Sequence, residues 1–263
     1  MKKIDLPISP IFQKMLFSME GNIGSGKSTL LRALKKEYAE ISGLPIIFVD
    51  EPVSQWESIK SEDGKNMIEL FYGNPARYSF AFQMMAYISR LAMLQEAIRK
   101  HPKAIIITER CLLTDYNIFA KLLYENKSML QEEYEIYKTW FHSFQDIRVD
   151  GIIYVRTDVS VAFERCKLRS RIGETIDEAY LKQCHDKHEE WIQEEYDLII
   201  DNNITEQEEA LWMIHDYIAD VVWEYKEPAL YDYTLMYIIV IWLFINILSF
   251  QKSNLFHSGL YLI

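Results

Sequence analysis

The chain has 263 residues, 49% of them hydrophobic and 25% charged, which suits one large α/β domain with a sizeable core and excludes a disordered chain. Twenty-eight Lys and Arg stand against 39 Asp and Glu, a net charge of −11 that argues against a broad nucleic-acid surface and confines phosphate recognition to a small cationic pocket. Three cysteines, Cys111, Cys166 and Cys184, are too few and too scattered for a disulfide framework, so a cytoplasmic or other reducing intracellular compartment is expected.

Residues 1–14 carry Lys2, Lys3, Asp5 and Lys14 with two prolines and no Arg, a pattern of neither a secretory signal nor a transit peptide, and they read as an N-terminal extension. An apolar run at 15–19 predicts a buried strand, and Leu30 to Tyr38 continues with helical periodicity. Between them Gly21, Asn22, Ile23, Gly24, Ser25, Gly26, Lys27, Ser28 and Thr29 form a complete G-x-x-x-x-G-K-[ST] phosphate loop. Small residues let successive N–H groups curl around phosphate oxygens, and a helix starting at Lys27 points its positive end at the same place. Lys27 adds a mobile charge for the β- and γ-phosphates of ATP, and the Ser28 hydroxyl is a ligand for Mg²⁺.

Further strands are predicted at 46–50, 104–108, 152–156 and 198–201, between helices at 28–40, 66–72, 76–100, 114–126, 131–145, 159–170, 177–195 and 205–226. Five strands alternating with helices mean an α/β fold whose doubly wound parallel sheet is covered on both faces. Ligands of such sheets sit beyond the carboxyl ends of the strands, which selects Glu51, Glu109 with Arg110, and the Asp201-Asn202-Asn203 turn. Glu51, at the tip of the second predicted strand, is the candidate general base toward a substrate hydroxyl, and Trp56 supplies an apolar wall beside it. Glu109 can hold Mg²⁺ or its waters, while Arg110 can bind Glu51 and the substrate hydroxyl and fix the attack geometry.

On the long helix, Gln83 and Arg90 lie two turns apart on a face shared with Phe80 and Tyr87, a setting for a flat heterocycle. Asp115 would orient Arg90, and Phe119 would stack on the ring. Arg165, Arg169 and Arg171 run into Gly173 and Glu174 as a lid that clamps the transferring phosphate. Cys184, His185 and His188 have no second half-site for zinc; buried or helix-capping roles suffice for them.

Composition shifts at Pro228, the expected end of a domain spanning 15–227, and residues 228–263 form an apolar tail. Within it, residues 233–250 carry no charge and just reach the length of a transmembrane helix, although Asn246, Ser249 and sparse flanking charge weigh against one. A C-terminal membrane anchor, an element docked on the core and a tail of no functional role all stay open.

Taken together these motifs resemble the deoxyribonucleoside kinase family that includes the deoxycytidine and deoxyguanosine kinases. The residues that carry the resemblance are Gly21 to Thr29, Glu51-Pro52-Val53 with Trp56, Phe71-Tyr72 with Pro75 and Arg77, Ser79-Phe80-Ala81-Phe82-Gln83, Glu109-Arg110-Cys111, the arginine lid, and His188-Glu189-Glu190-Trp191. The resemblance implies a P-loop NTPase-type five-stranded parallel sheet, a homodimer, and Mg²⁺-dependent transfer from ATP to the 5′-hydroxyl of a deoxyribonucleoside for nucleotide salvage. It also implies Glu51 as base, Arg110 as its partner, Tyr72 and Glu174 on the 3′-hydroxyl, and Phe82 and Gln83 in the base pocket. The Arg90/Asp115 pair resembles that of deoxycytidine- and purine-preferring members, so those substrates are expected ahead of thymidine. Cys111 departs from the usual Ser and Tyr78 from the common Trp, and the connection after Glu174 is one residue short. Two rivals remain: a nucleoside-monophosphate kinase resembling thymidylate kinase, and a non-catalytic subunit of the same fold resembling an accessory subunit of a membrane respiratory complex.

Overall fold

The computed structural model describes residues 14–144, 147–169, 171, 173–225 and 242, without the side chains of 193–195. The chain divides into two units, Gln13–Ala219 and Met1–Phe12 with Asp220–Ile263. In the first lie strands β1 (Met15–Glu20), β2 (Glu40–Ile41), β3 (Leu44–Val49), β4 (Ile105–Glu109), β5 (Gly151–Arg156) and β6 (Leu198–Asp201). They form one sheet in the order β2-β3-β4-β1-β5-β6. All neighbours pair in parallel except β2 with β3, which pair antiparallel.

The strand count of six corrects the expected five. Residues 38–40 do not continue the first helix: Tyr38 is extended at φ −122°, and Ser42 and Gly43, both at positive φ, turn the chain back into β3. Such a pair of left-handed residues is what a two-residue hairpin needs.

The centre of the sheet follows from its apolar runs. Every residue of β1 and β4 is buried, as expected of strands covered on both faces. Leu16 and Ile106 pack with Tyr87, Leu91, Leu94, Tyr137 and Phe141, whereas Phe17 meets the Tyr217 ring edge-on at 5.9 Å. Each such side chain removed from water contributes roughly 1.5–3 kcal/mol.

The helices are α1 (Lys27–Glu37), α2 (Val53–Ser58), α3 (Met67–Gly73), α4 (Pro75–Lys100), α5 (Leu112–Thr114), α6 (Lys121–Glu125), α7 (Gln131–Ser143), α8 (Val159–Arg169) and α9 (Glu178–Glu195), with a π-helical turn at Asp115–Ala120. A tenth, α10, spans residues 207–225. Asn66 starts α3 with a reciprocal capping box to Glu69, and Asn74 caps α4 ahead of Pro75. From β1 the chain crosses to β3 and β4 on one side and then to β5 on the other, so the topological switch point lies at the end of β1. The phosphate loop sits there.

The expected boundary at Pro228 and the uncharged run at 233–250 lie outside the described residues, Trp242 apart. Among the described residues no helix is long and apolar enough to cross a membrane.

Candidate active site

One cavity of about 790 Å³ opens at the carboxyl ends of β1, β3 and β4, a size that suits a small ligand. The loop from Gly21 to Thr29 forms one end. Gly26 caps α1 at φ 101°, a left-handed conformation that favours glycine. A Cβ there would also collide with the Asn202 side chain. Lys27 Nζ is held within the loop, donating to Gly21 O at 2.9 Å and Asn22 O at 2.6 Å. Burial pushes its pKa down to about 7, Arg110 adds to the shift, and Glu109 and Glu51 oppose it. Asn22 Nδ2 donates to Leu181 O at 2.9 Å, tying the loop to α9.

Ser28 Oγ donates to Glu109 Oε1 at 2.7 Å on the cavity wall. A hydroxyl beside a carboxylate is the hard-oxygen set that Mg²⁺ shares with phosphate oxygens and water, so these residues fit that ion. Among the described residues no three His, Cys, Asp or Glu gather into a fuller metal cluster.

Glu51 stands across the same cavity. Its Oε1 accepts from Arg110 Nη1 at 2.8 Å and Arg90 Nη2 at 3.2 Å. Burial alone would raise the Glu51 pKa, but Arg110, Arg90 and Lys27 outweigh it and hold the carboxyl below its ordinary value. Arg90 also pairs with Asp115, and both are buried. Arg110 has φ 65°, unusual for a residue with a side chain and a strain of about 1–3 kcal/mol. That backbone turns the end of β4 so that the guanidinium reaches Glu51 and lies 5.2 Å from the centre of the Phe119 ring.

The far wall is aromatic. Phe71 and Phe82 stack with centroids 4.5 Å apart, and Trp56 meets Phe82 edge-on while its Nε1 donates to Ser89 Oγ at 2.9 Å. Gln83 lines this wall, and its Nε2 lies 3.4 Å from the Asp115 carbonyl. Phe80 and Tyr87, expected on the same face, do not line the cavity: Phe80 packs beside Phe71 and Leu123, and Tyr87 is in the core with Tyr137. The π-helical turn carries Asp115 at its start and Phe119 near its end, and both line the cavity.

The arginine lid closes the third side. Arg169 Nη2 donates to Glu174 Oε2 at 2.5 Å and Arg171 Nη1 lies 3.5 Å from Glu174 Oε1. Burial, with Glu174 next, raises the pKa of the Tyr72 hydroxyl. Arg165 donates instead to Ser25 O at 3.2 Å and Asn202 O at 3.4 Å, and Asn202 Nδ2 reaches Ser25 O at 2.6 Å.

Of the expected residues, Ile23, Gly24, Gly26, Lys27, Ser28, Thr29, Glu51, Trp56, Tyr72, Phe82, Gln83, Arg90, Glu109, Arg110, Asp115, Phe119, Arg165, Arg169, Arg171 and Glu174 line the cavity. Gly21, Asn22 and Ser25 sit within the loop behind it, and Asn202 braces Ser25. The structure does not bring Asp201 and Asn203 there. Asn203 Nδ2 bonds Asp201 at 2.8 Å and Asp158 at 3.2 Å, so their polar groups satisfy one another in an exposed turn. Cys111 faces away from Ser28 and Glu109: its Sγ lies 3.9 Å from Thr114 Oγ1 in the interior. His188 is interior too, its Nδ1 2.6 Å from Cys184 O, and burial pushes its pKa down to about 3.

Two polar lining residues were not anticipated. Arg32 donates through Nε to Ser28 O at 3.0 Å, and its place one turn beyond Ser28 was the signal that could have found it. Tyr180 is partly buried and packs against the cluster of Cys184, one turn along α9, where only the apolar stripe of that helix pointed inward.

The sequence matches the profile of the deoxynucleoside kinases over residues 17–227. It is 35% identical over 196 residues to the mitochondrial deoxyguanosine kinase of Xenopus laevis, covering 66% of this chain and 72% of that one. It is 37% identical over 211 residues to deoxycytidine kinase 2 of Gallus gallus, covering 70% and 76%. With the probable deoxycytidine kinase of fowlpox virus it shares 33% over 223 residues, covering 78% and 88%.

Proposed function

Since the chain belongs to the deoxynucleoside kinase family and is an enzyme that phosphorylates deoxynucleosides, we propose that its cavity moves the γ-phosphoryl group of ATP to a 5′-hydroxyl. The observation that carries this reading is Glu51, a carboxylate held by two buried guanidiniums in the cavity that the phosphate loop and the aromatic wall share.

In the reaction the 5′-oxygen attacks the γ-phosphorus, the bond to the β-phosphate oxygen breaks, ADP leaves, and the hydroxyl proton passes to Glu51. A carboxyl held below its ordinary pKa is a weak proton acceptor but is always ionised near neutrality. It therefore orients the hydroxyl first and takes the proton late, which suits a loose transition state that asks mainly for positioning and charge. Arg110 fixes Glu51 and the hydroxyl. Lys27, Arg165, Arg169 and Arg171 receive charge that spreads over the phosphoryl oxygens. Ser28 and Glu109 would hold Mg²⁺, which when bound neutralises phosphate charge.

Tyr72 and Glu174 recognise the 3′-hydroxyl, and Trp56, Phe82, Gln83 and Phe119 enclose the base. The Arg90/Asp115 pair supports deoxycytidine or a purine deoxynucleoside over thymidine, because a buried guanidinium beside a carboxylate offers donors and acceptors to an amino-bearing edge. We place the enzyme in residues 15–227, acting in nucleotide salvage. The test is labelled ATP against the four deoxynucleosides and their monophosphates. Deoxycytidine, deoxyadenosine or deoxyguanosine turned over ahead of thymidine is the expected result, and turnover of monophosphates alone would overturn the proposal.

A further inference from the structure

Behind the phosphate loop lies a carboxylate that this mechanism does not use. Glu20 ends β1, is fully buried and accepts three hydrogen bonds. Ser18 Oγ donates to its Oε1 at 2.5 Å, Thr114 Oγ1 to its Oε2 at 2.5 Å, and the backbone N–H of Cys111 to its Oε1 at 3.0 Å. The last of these bears on Arg110. Its φ of 65° places it in the left-handed region, and the peptide that follows it is held on both sides. The carbonyl of Arg110 accepts from Thr108 Oγ1 at 2.9 Å, and the N–H of Cys111, the other half of that peptide, points at Glu20. Upstream, the Arg110 N–H is fixed to Met19 O at 3.1 Å.

We infer that Glu20 is a positioning residue: with Thr108 and Thr114 it locks the Arg110–Cys111 peptide so that the Arg110 guanidinium is delivered to Glu51. The inference rests on the reading of Glu51 and Arg110 given above.

Two substitutions test it, each compared per folded molecule by circular dichroism and active-site titration. Glu20→Ala removes the acceptor, and Thr108→Val removes the clamp on the carbonyl while keeping the β-branched shape, so it serves if Glu20→Ala does not fold. Each should lower kcat by about 10- to 100-fold, with KM for ATP and nucleoside within about threefold of the parent, the signature of a displaced catalytic group. Glu20→Gln keeps an oxygen for the Cys111 N–H and should recover kcat to within about fivefold. A residue of purely structural value would lower the melting temperature and leave kcat per folded molecule unchanged. That result, with Glu51→Gln still inactive, overturns the role of Glu20 and leaves the kinase mechanism standing; full activity of Glu51→Gln overturns both.

Discussion

Glu51 Oε1 accepts from two guanidiniums at once, so its charge is neutralised before any substrate arrives. Glu51→Gln keeps the shape and most of the hydrogen bonding, and steady-state kinetics should show kcat lowered by a factor on the order of 10² or more with ATP binding retained. Because the native carboxyl ionises below its ordinary 4.5, the stability gained from its ion pairs is complete above that pH and is lost as pH falls through the lower native value. In urea unfolding, the advantage of the parent over Glu51→Gln should therefore shrink below pH 4.5. Lys27 works in the opposite sense. With a pKa pushed down to about 7, much of it is neutral at pH 8, and a bound triphosphate favours the ammonium. ATP binding should take up a proton, and affinity should fall by up to tenfold per unit of pH above about 7. Calorimetry in buffers of differing ionisation enthalpy measures that uptake, which Lys27→Arg should abolish.

At the scale of the element, the turn from β1 into α1 depends on Gly26. Alanine there meets both a left-handed backbone and the Asn202 side chain, so Gly26→Ala should cost roughly 1–3 kcal/mol in chemical unfolding and weaken nucleotide binding. Elements with a sustained pattern were readable from residues alone. The runs at Met15–Glu20 and Ile105–Glu109 and the helix Pro75–Lys100 lie within a residue or two of their expected bounds, since a buried strand needs an unbroken apolar run and a long helix shows its period. Two short elements were not. Glu40–Ile41 has no room for a period, and its hairpin depends on the left-handed Ser42 and Gly43; Val53–Ser58 is under two turns. The site shows the same division. Residues at strand tips follow from the rule that ligands bind there, whereas Tyr180 enters from a helix 153 positions after Lys27 and Glu20 looks from sequence like the last residue of a strand.

At the scale of the molecule, α4 and α7 leave Ile88, Ile136 and Trp140 about half exposed, although both helices also contribute to the core. We propose that a second copy covers these side chains, as the expected homodimer would require. Trp140→Glu should weaken self-association at least tenfold, or about 1.4 kcal/mol, in sedimentation equilibrium while leaving the cavity unchanged. Since every residue lining the cavity falls within Gln13–Ala219, a chain ended after residue 227 should turn over nucleoside at a rate within about threefold of the parent if the tail is an appendage. Arg90 raises a further point, because one guanidinium touches both Asp115 and Glu51. On the proposed mechanism, the pair that reads the heterocycle is thereby wired to the carboxylate that accepts the proton. An engineer who exchanges residues 90 or 115 to admit a new base will retune turnover in the same stroke, and must look for compensation around Glu51 before judging the new preference.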